Sequence, residues 1–477
     1  MALRTDREKF AHMMRRFGLG ASEAELDFYL KDGYSSGIQK FLNYENTDEG
    51  FSADPMNFFP NKNGNVPMPV LVLWWITRLA VTQRPFQEKM TLFWHDHFAT
   101  SGQKVTATPM MFQQNETMRL NAVGKFQTLL SEVSKGPAML FWLDNQFNVK
   151  GKPNENFARE IMELFTLGVG NYSEKDIQEA ARAFTGWTVA RRGNRPTETN
   201  KGKIAPGIQF SFNQRLHDTG EKSILGNKGN FDGDDVIGIL CGNPQTSKYI
   251  TTKIWEWFVY PNPEPKIIDS LASKFRDSGL DIKKLVFEII SMPEFFSAKA
   301  ERGVYKNPVD YCVSTLRQLG VGQQLAEVIK EETTEANVGR GRLAPAAAAQ
   351  QAMKSMGMEL LFPPDVAGWE GGESWVSSAT MVERITWADR MFPTGAPSRG
   401  RAIFRYPAIG LISDNPTPEN LVDTLVSVFD APVSPEKRQA LIAAAKKVGS
   451  SYNAQTANQA SNQVARLIFG MPEFQFA

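Results

Sequence analysis

Apolar residues recur three and four positions apart in segment after segment of this 477-residue chain, and no other feature constrains its fold so strongly. The pattern runs over about residues 5–16, 22–32, 67–82, 85–99, 124–135, 154–167 and 173–185. It returns near 234–241, 246–259, 266–278, 282–290, 308–319, 346–358, 418–429, 434–448 and 457–469. Strands would alternate with period two, so the expected fold class is mainly α. The expectation is a multi-helix globular protein with long ordered loops and at most a small β-hairpin.

A single hydrophobic core stops growing at about 250–300 residues, so a chain of this length is expected to divide. The expected parts are an N-terminal helical subdomain (1–188), a loop or hairpin insertion (189–233), a middle helical subdomain (234–330) and a C-terminal helical subdomain with a Trp/Gly loop (331–477). The insertion is rich in Gly, Asn, Lys, Arg and Thr, and Ile208–Phe212 alternates as a strand would. One helix is bounded explicitly: Ser173 with Asp176 three residues later opens it, and Gly186 follows Phe184 at its close. Asp232-Gly233-Asp234-Asp235 lacks the later glutamate of a calcium loop and is expected to cap the next helix. A break is expected over Glu331 to Arg342. The tetrapeptide Met-Pro-Glu-Phe occurs at 292–295 and again at 471–474, each time after a helical stretch, and is expected to act as a helix stop.

Charge and composition remove several function classes. Lys and Arg total 53 against 52 Asp and Glu, which supplies no general attraction for nucleic acid. The longest apolar run, Val70 to Ile76, is far short of the roughly 20 residues that span a bilayer, so no membrane span is expected. Cys241 and Cys312 stand alone, without a zinc-ribbon or disulfide pattern. The first residues carry charges and no apolar signal-peptide core, so the expected location is the cytoplasm.

The chemistry-bearing segments are few. In Phe93-Trp94-His95-Asp96-His97-Phe98, helical spacing puts His97 on the same face as Phe86, Met90 and Phe93, and places His95 about 200° away as a solvated bystander. An inward His97 is either a core histidine or a base and metal ligand. In the segment 154–165, Glu155, Arg159 and Glu163 form a solvated stripe, while Glu160 flanks the apolar face. Glu160 is expected either to pair with Arg182 on the following helix or to serve as an acid or a metal ligand. His217 and Asp218 lie on a loop, as a turn or as part of a cleft. Trp369 and Trp375 stand in a Pro/Gly loop, either plugging it onto the core or stacking on a sugar ring.

These blocks, HMMRRFGLGA (12–21), FWHDHFATS (93–101), NENFAREIMELFTLGVGNYSEKDIQEAARAFTGW (154–187), HDTGEKSILG (217–226) and LFPPDVAGWEGGESW (361–375), together resemble the bacterial domain-of-unknown-function 1800 family. The resemblance implies a bacterial origin but transfers no catalytic residue. It also implies a partner of the domain-of-unknown-function 1501 family, proteins related to alkaline phosphatases and sulfatases that often carry twin-arginine signals. Export to the periplasm in complex with such a partner is then the alternative location. All four histidines, His12, His95, His97 and His217, fall inside these blocks, with His12 on the polar face of its expected helix.

The functional expectation is a metal-assisted hydrolase. His97 and Glu160 would be catalytic, His97, His217 and Asp218 would hold one divalent ion, and Trp369, Trp375 and Arg182 would bind substrate. The alternative is a non-catalytic binding or assembly protein acting with a partner or a polysaccharide.

Overall fold

Many helices of the computed structural model begin where the chain supplies a cap. The structure describes residues 3, 5–55, 66–191, 208–332, 343–394, 410 and 417–477. Thr5 with Glu8 closes a capping box on Asp6–Phe17, Ser22 with Glu25 on Glu23–Leu30, and Asp232 with Asp235 on Gly233–Gly242. Ser173 and Asp176 do the same for Glu174–Ala183, and Gly186 beyond its end takes a φ of +83°. Proline occupies the first turn of Met68–Val81, Pro85–His97, Pro244–Phe258, Pro308–Gln318 and Pro418–Val428, where its missing N–H costs nothing.

The protein is mainly helical. Its described residues contain twenty-one α-helices and two small antiparallel two-stranded sheets. One sheet pairs Trp187–Arg191 with Ile208–Phe212, Trp187 standing opposite Phe212, and is the expected hairpin. The second pairs Lys222–Ile224 with Asn227–Gly229. Periodicity did not reveal the helices Tyr34–Leu42, Thr108–Leu120, Pro137–Trp142, Val321–Glu332 and Ser378–Met391. In the expected break over 331–342, Glu331 and Glu332 continue a helix and the other positions lie outside the described residues. No described helix is long and apolar enough to cross a membrane.

Two buried clusters form the interior, and neither follows a single stretch of chain. The first joins Phe10, Phe17, Phe86, Phe93, Phe165, Phe258 and Phe295. The second joins Trp74, Trp75, Tyr311, Trp369, Trp387 and Phe469. The Met68–Val81 helix belongs to the second, packed by Pro308–Gln318, Val321–Glu332 and Ala344–Ser355. Cys241 lies in the first cluster and Cys312 in the second, both as buried free thiols. The repeated tetrapeptide performs one task twice: its proline opens a short 3-10 helix and its phenylalanine, Phe295 or Phe474, enters a core.

Pro85–His97 stands where the two clusters meet. Phe86, Met90, Phe93 and Trp94 belong to the first and Leu92 to the second. Every residue from Pro85 to His95 is buried, so this helix has no solvated face. Its polar groups are therefore paired internally. Glu88 meets Arg119 and Arg78 and accepts the Trp75 indole N–H at 2.9 Å, and Lys89 forms a buried ion pair with Asp310. Gln87 donates to the Arg119 carbonyl at 3.1 Å.

Candidate functional site

The C-terminal turn of Pro85–His97 opens onto a cavity of about 610 Å³, within the range of small-ligand pockets. Asp96 and His97 line it, with Trp257 and Lys253 from Pro244–Phe258 and Trp369 and Trp375 from the Pro/Gly loop. Both loop tryptophans are also buried in the second cluster, so plugging the loop and lining the cavity are one arrangement.

Consider how the loop is fastened. Asp96 Oδ1 accepts the Trp369 backbone N–H at 2.8 Å. Gly368 precedes that N–H with a φ of +87°, and a Cβ there would stand 2.4 Å from Asp96 Oδ1 and 2.6 Å from the Asp96 carbonyl oxygen. Only glycine lets the backbone approach the carboxylate so closely. One residue back, His95 Nε2 accepts the Leu361 N–H at 3.1 Å, and Leu361 itself has a φ of +67°. The His95 ring also packs against Trp75 and Trp369. His95 is thus fully buried, contrary to the expectation of a solvated bystander, because both sides of its helix are covered.

His97 is half-buried and lines the cavity. Its Nε2–H donates to the Phe165 carbonyl at 3.1 Å, since a carbonyl can only accept, and this leaves Nδ1 with the lone pair. That carbonyl is free because Phe165 lies in the last turn of the π-helix Ile161–Leu167, where carbonyls have no intrahelical partner. Thr166 Oγ1 bonds the Ile161 carbonyl at 2.7 Å within it, and Tyr249 Oη and Gln245 Nε2 meet the Leu164 and Leu167 carbonyls at 3.0 Å each. The expected single helix over 154–167 is therefore an α-helical turn, Glu155–Glu160, followed by a π-turn that seats His97.

Electrostatics separates the three neighbours. Burial pushes the Asp96 carboxyl up to about 6, against the opposing pull of the Trp369 N–H, Lys253 and Trp257. Burial pulls both imidazoles down to about 3, helped at His97 by Lys253. At neutral pH the histidines are uncharged, and Asp96 is the group poised to exchange a proton.

The other expected site residues gather elsewhere. His217 is buried, donates from Nδ1 to the Thr185 carbonyl at 2.9 Å and packs against Phe212. Asp218 forms a two-pronged pair with Arg182, Nε to Oδ2 at 2.9 Å and Nη2 to Oδ1 at 3.2 Å, which holds its carboxyl down to about 2. Arg182 also binds Glu179, so its guanidinium is committed to fastening the loop, not to Glu160 or a ligand. Glu160 is half-buried outside the cavity lining; burial, then Glu163 and Asp365, raise its carboxyl. His12, expected on a polar face, is fully buried with Nε2 donating to the Phe295 carbonyl at 2.8 Å.

A divalent ion does not fit these residues. His97 and the His217–Asp218 pair share no contact among the described residues, and the His97 Nε2 and both Asp218 oxygens are spent on protein partners. No group of three or more described His, Cys, Asp or Glu residues is arranged to hold a metal. The residues that sequence reasoning missed are Asp96, Lys253 and Trp257. Asp96 was visible inside the His-x-His motif, whereas Lys253 and Trp257 carry no local signal and are brought in by packing alone.

Fold and site together define a mainly helical protein with an aromatic cleft in which the Asp96 carboxyl, raised by burial, stands beside a neutral imidazole. The chain belongs to the family described as Protein of unknown function (DUF1800), whose model matches residues 12–476. No curated protein and no solved structure matches it.

Proposed function

We propose that the protein hydrolyses a glycosidic bond in a carbohydrate held in the aromatic cleft, with Asp96 as the general acid. The observation that carries this reading is the half-buried Asp96 carboxyl in the cavity wall, raised to about 6, in a cavity that also holds Glu256 and three tryptophans. Glycosidases work with two carboxyl groups whose environments differ, one held protonated and one ionised. Tryptophan faces offer the flat apolar platform on which a sugar ring rests.

In this scheme Asp96 gives its proton to the leaving-group oxygen as the C–O bond breaks. Water attacks the anomeric carbon and loses its proton to Glu256, which is half-buried beside Trp257. His97 Nδ1 accepts a hydrogen bond from a sugar hydroxyl, and its neutrality keeps a second cation out of the cleft beside Lys253. Aryl glycosides and unlabelled oligosaccharides test the reading directly. Cleavage by the wild type falls as pH rises through about 6, and Asp96→Asn lowers it by about 100-fold or more. Absence of cleavage across the panel, or an Asp96→Asn variant as fast as the wild type, overturns it.

A further inference from the structure

The cleft is unequal in charge, and that inequality selects among carbohydrates. Four carboxylates line it, Asp96, Glu256, Asp310 and Glu373, against the single lysine Lys253 among its described lining residues. Asp310 is already balanced by the buried Lys89 behind it and accepts the Asn307 amide at 3.0 Å, so it contributes little net field. Glu256 and Glu373 form no ion pair with any described residue, and Glu373 stands exposed at the mouth. Set against Lys253, the lining keeps one net negative charge while Asp96 holds its proton and two once it is ionised, in a cavity also lined by Trp257, Trp369, Trp375, Tyr249 and Tyr305. Aromatic faces attract cations through the ring quadrupole, and unpaired carboxylates within a cleft focus the same field. One of these rings already meets a cation from behind: Lys89 Nζ, paired with Asp310, lies 5.0 Å from the Trp257 ring centre. A phosphate, sulfate or uronate ligand would meet this field with the wrong sign.

We propose that the cleft takes an amine-bearing saccharide, a chain of sugars with free ammonium groups. The inference rests on the glycosidase reading for its carbohydrate and on the charge and aromatic walls for the amine. Glu373 acts as a specificity residue at the mouth, drawing the ammonium in without touching the reacting bond.

Binding of short glucosamine oligomers, their N-acetylated counterparts and galacturonate oligomers of equal length, followed by calorimetry on the full chain, tests it. Asp96→Asn serves as the trapped form. The glucosamine oligomer binds about tenfold more tightly than the N-acetylated one at low salt, and the advantage shrinks as salt is added. Glu373→Gln reduces that advantage severalfold while leaving affinity for the N-acetylated oligomer unchanged, a readout that misfolding would not reproduce. Equal, salt-independent binding of the neutral oligomer, with cleavage retained, overturns the charge inference and leaves the glycosidase reading standing. Preference for galacturonate also overturns it. Failure of every oligomer to bind or be cleaved removes both.

Discussion

Replacing Asp96 by asparagine should make the protein more stable above pH 6 while removing its acid. The sign follows from linkage. The Asp96 carboxyl lies near 3.8 when the chain is unfolded and at about 6 in the folded protein, raised chiefly by burial. Between those values the folded state holds more protons than the unfolded state, so stability falls as pH rises. The rise in pKa corresponds to about 3 kcal/mol in full, of which about 2 kcal/mol falls between about pH 4.5 and about pH 7.5. Asparagine keeps an oxygen to accept the Trp369 N–H but has nothing to ionise. The difference in unfolding free energy between variant and wild type should therefore grow by about 2 kcal/mol over that interval, in the variant's favour. Urea denaturation followed by tryptophan fluorescence at a series of pH values measures it, with unchanged m-values as the check on cooperativity. A constant offset, pH-independent to within about 0.5 kcal/mol, would show that Asp96 titrates as an ordinary carboxyl and would refute the placement of a strained acid in the cleft.

Three further outcomes follow from single contacts. Gly368→Ala places a methyl group against Asp96 and forces a side chain into a left-handed backbone; hydrogen exchange over 361–376 should accelerate by about tenfold or more, while exchange in Gly233–Gly242 stays unchanged. His95→Ala leaves the buried Leu361 N–H without an acceptor and opens a void beside Trp75, costing about 2–4 kcal/mol by urea denaturation. Glu88→Ala removes the fully buried carboxylate that Arg119 and Arg78 share, leaving them Glu116 and Glu49, and takes the acceptor from the Trp75 N–H; it should cost about 3 kcal/mol by urea denaturation.

Amphipathic periodicity works when a helix has one dry face and one wet face, and it located most helices here for that reason. Pro265–Asp277 shows it in simple form, with Ile268, Leu271, Ala272 and Phe275 buried and Lys266 and Asp269 outside. Pro85–His97 defeats it. Enclosed by both clusters, that helix buries Gln87, Glu88, Lys89, Thr91 and His95 as firmly as its phenylalanines, so position around the helix says nothing about exposure. The separation of an inward His97 from an outward His95 rested on a wet face that does not exist. His12 was misplaced for the same reason, since Arg15 and Arg16 beside it are buried too. What distinguishes the polar residues of this helix is position along it: from Pro85 to His95 polar groups are locked into the core, and Asp96 and His97 are the first polar side chains to line the cavity.

The same geometry explains why the carboxyl and the tryptophan loop belong to one device. A carboxylate enclosed beside indoles needs donors, and the nearest is the N–H of the loop that covers it. Closing the loop on Asp96 requires Gly368, and in closing it Trp369 and Trp375 become walls of the cavity. Loop closure thus sets both the acidity of Asp96 and the shape of the surface a ligand meets. A ligand hydroxyl that donates to Asp96 Oδ1 would share that oxygen with the Trp369 N–H and weaken its hold on the loop, so occupancy of the cleft and mobility of the loop should change together. If hydrogen exchange over 361–376 were unaffected by a bound oligosaccharide that engages Asp96, the carboxyl would have a spare oxygen for its ligand and the coupling would be absent.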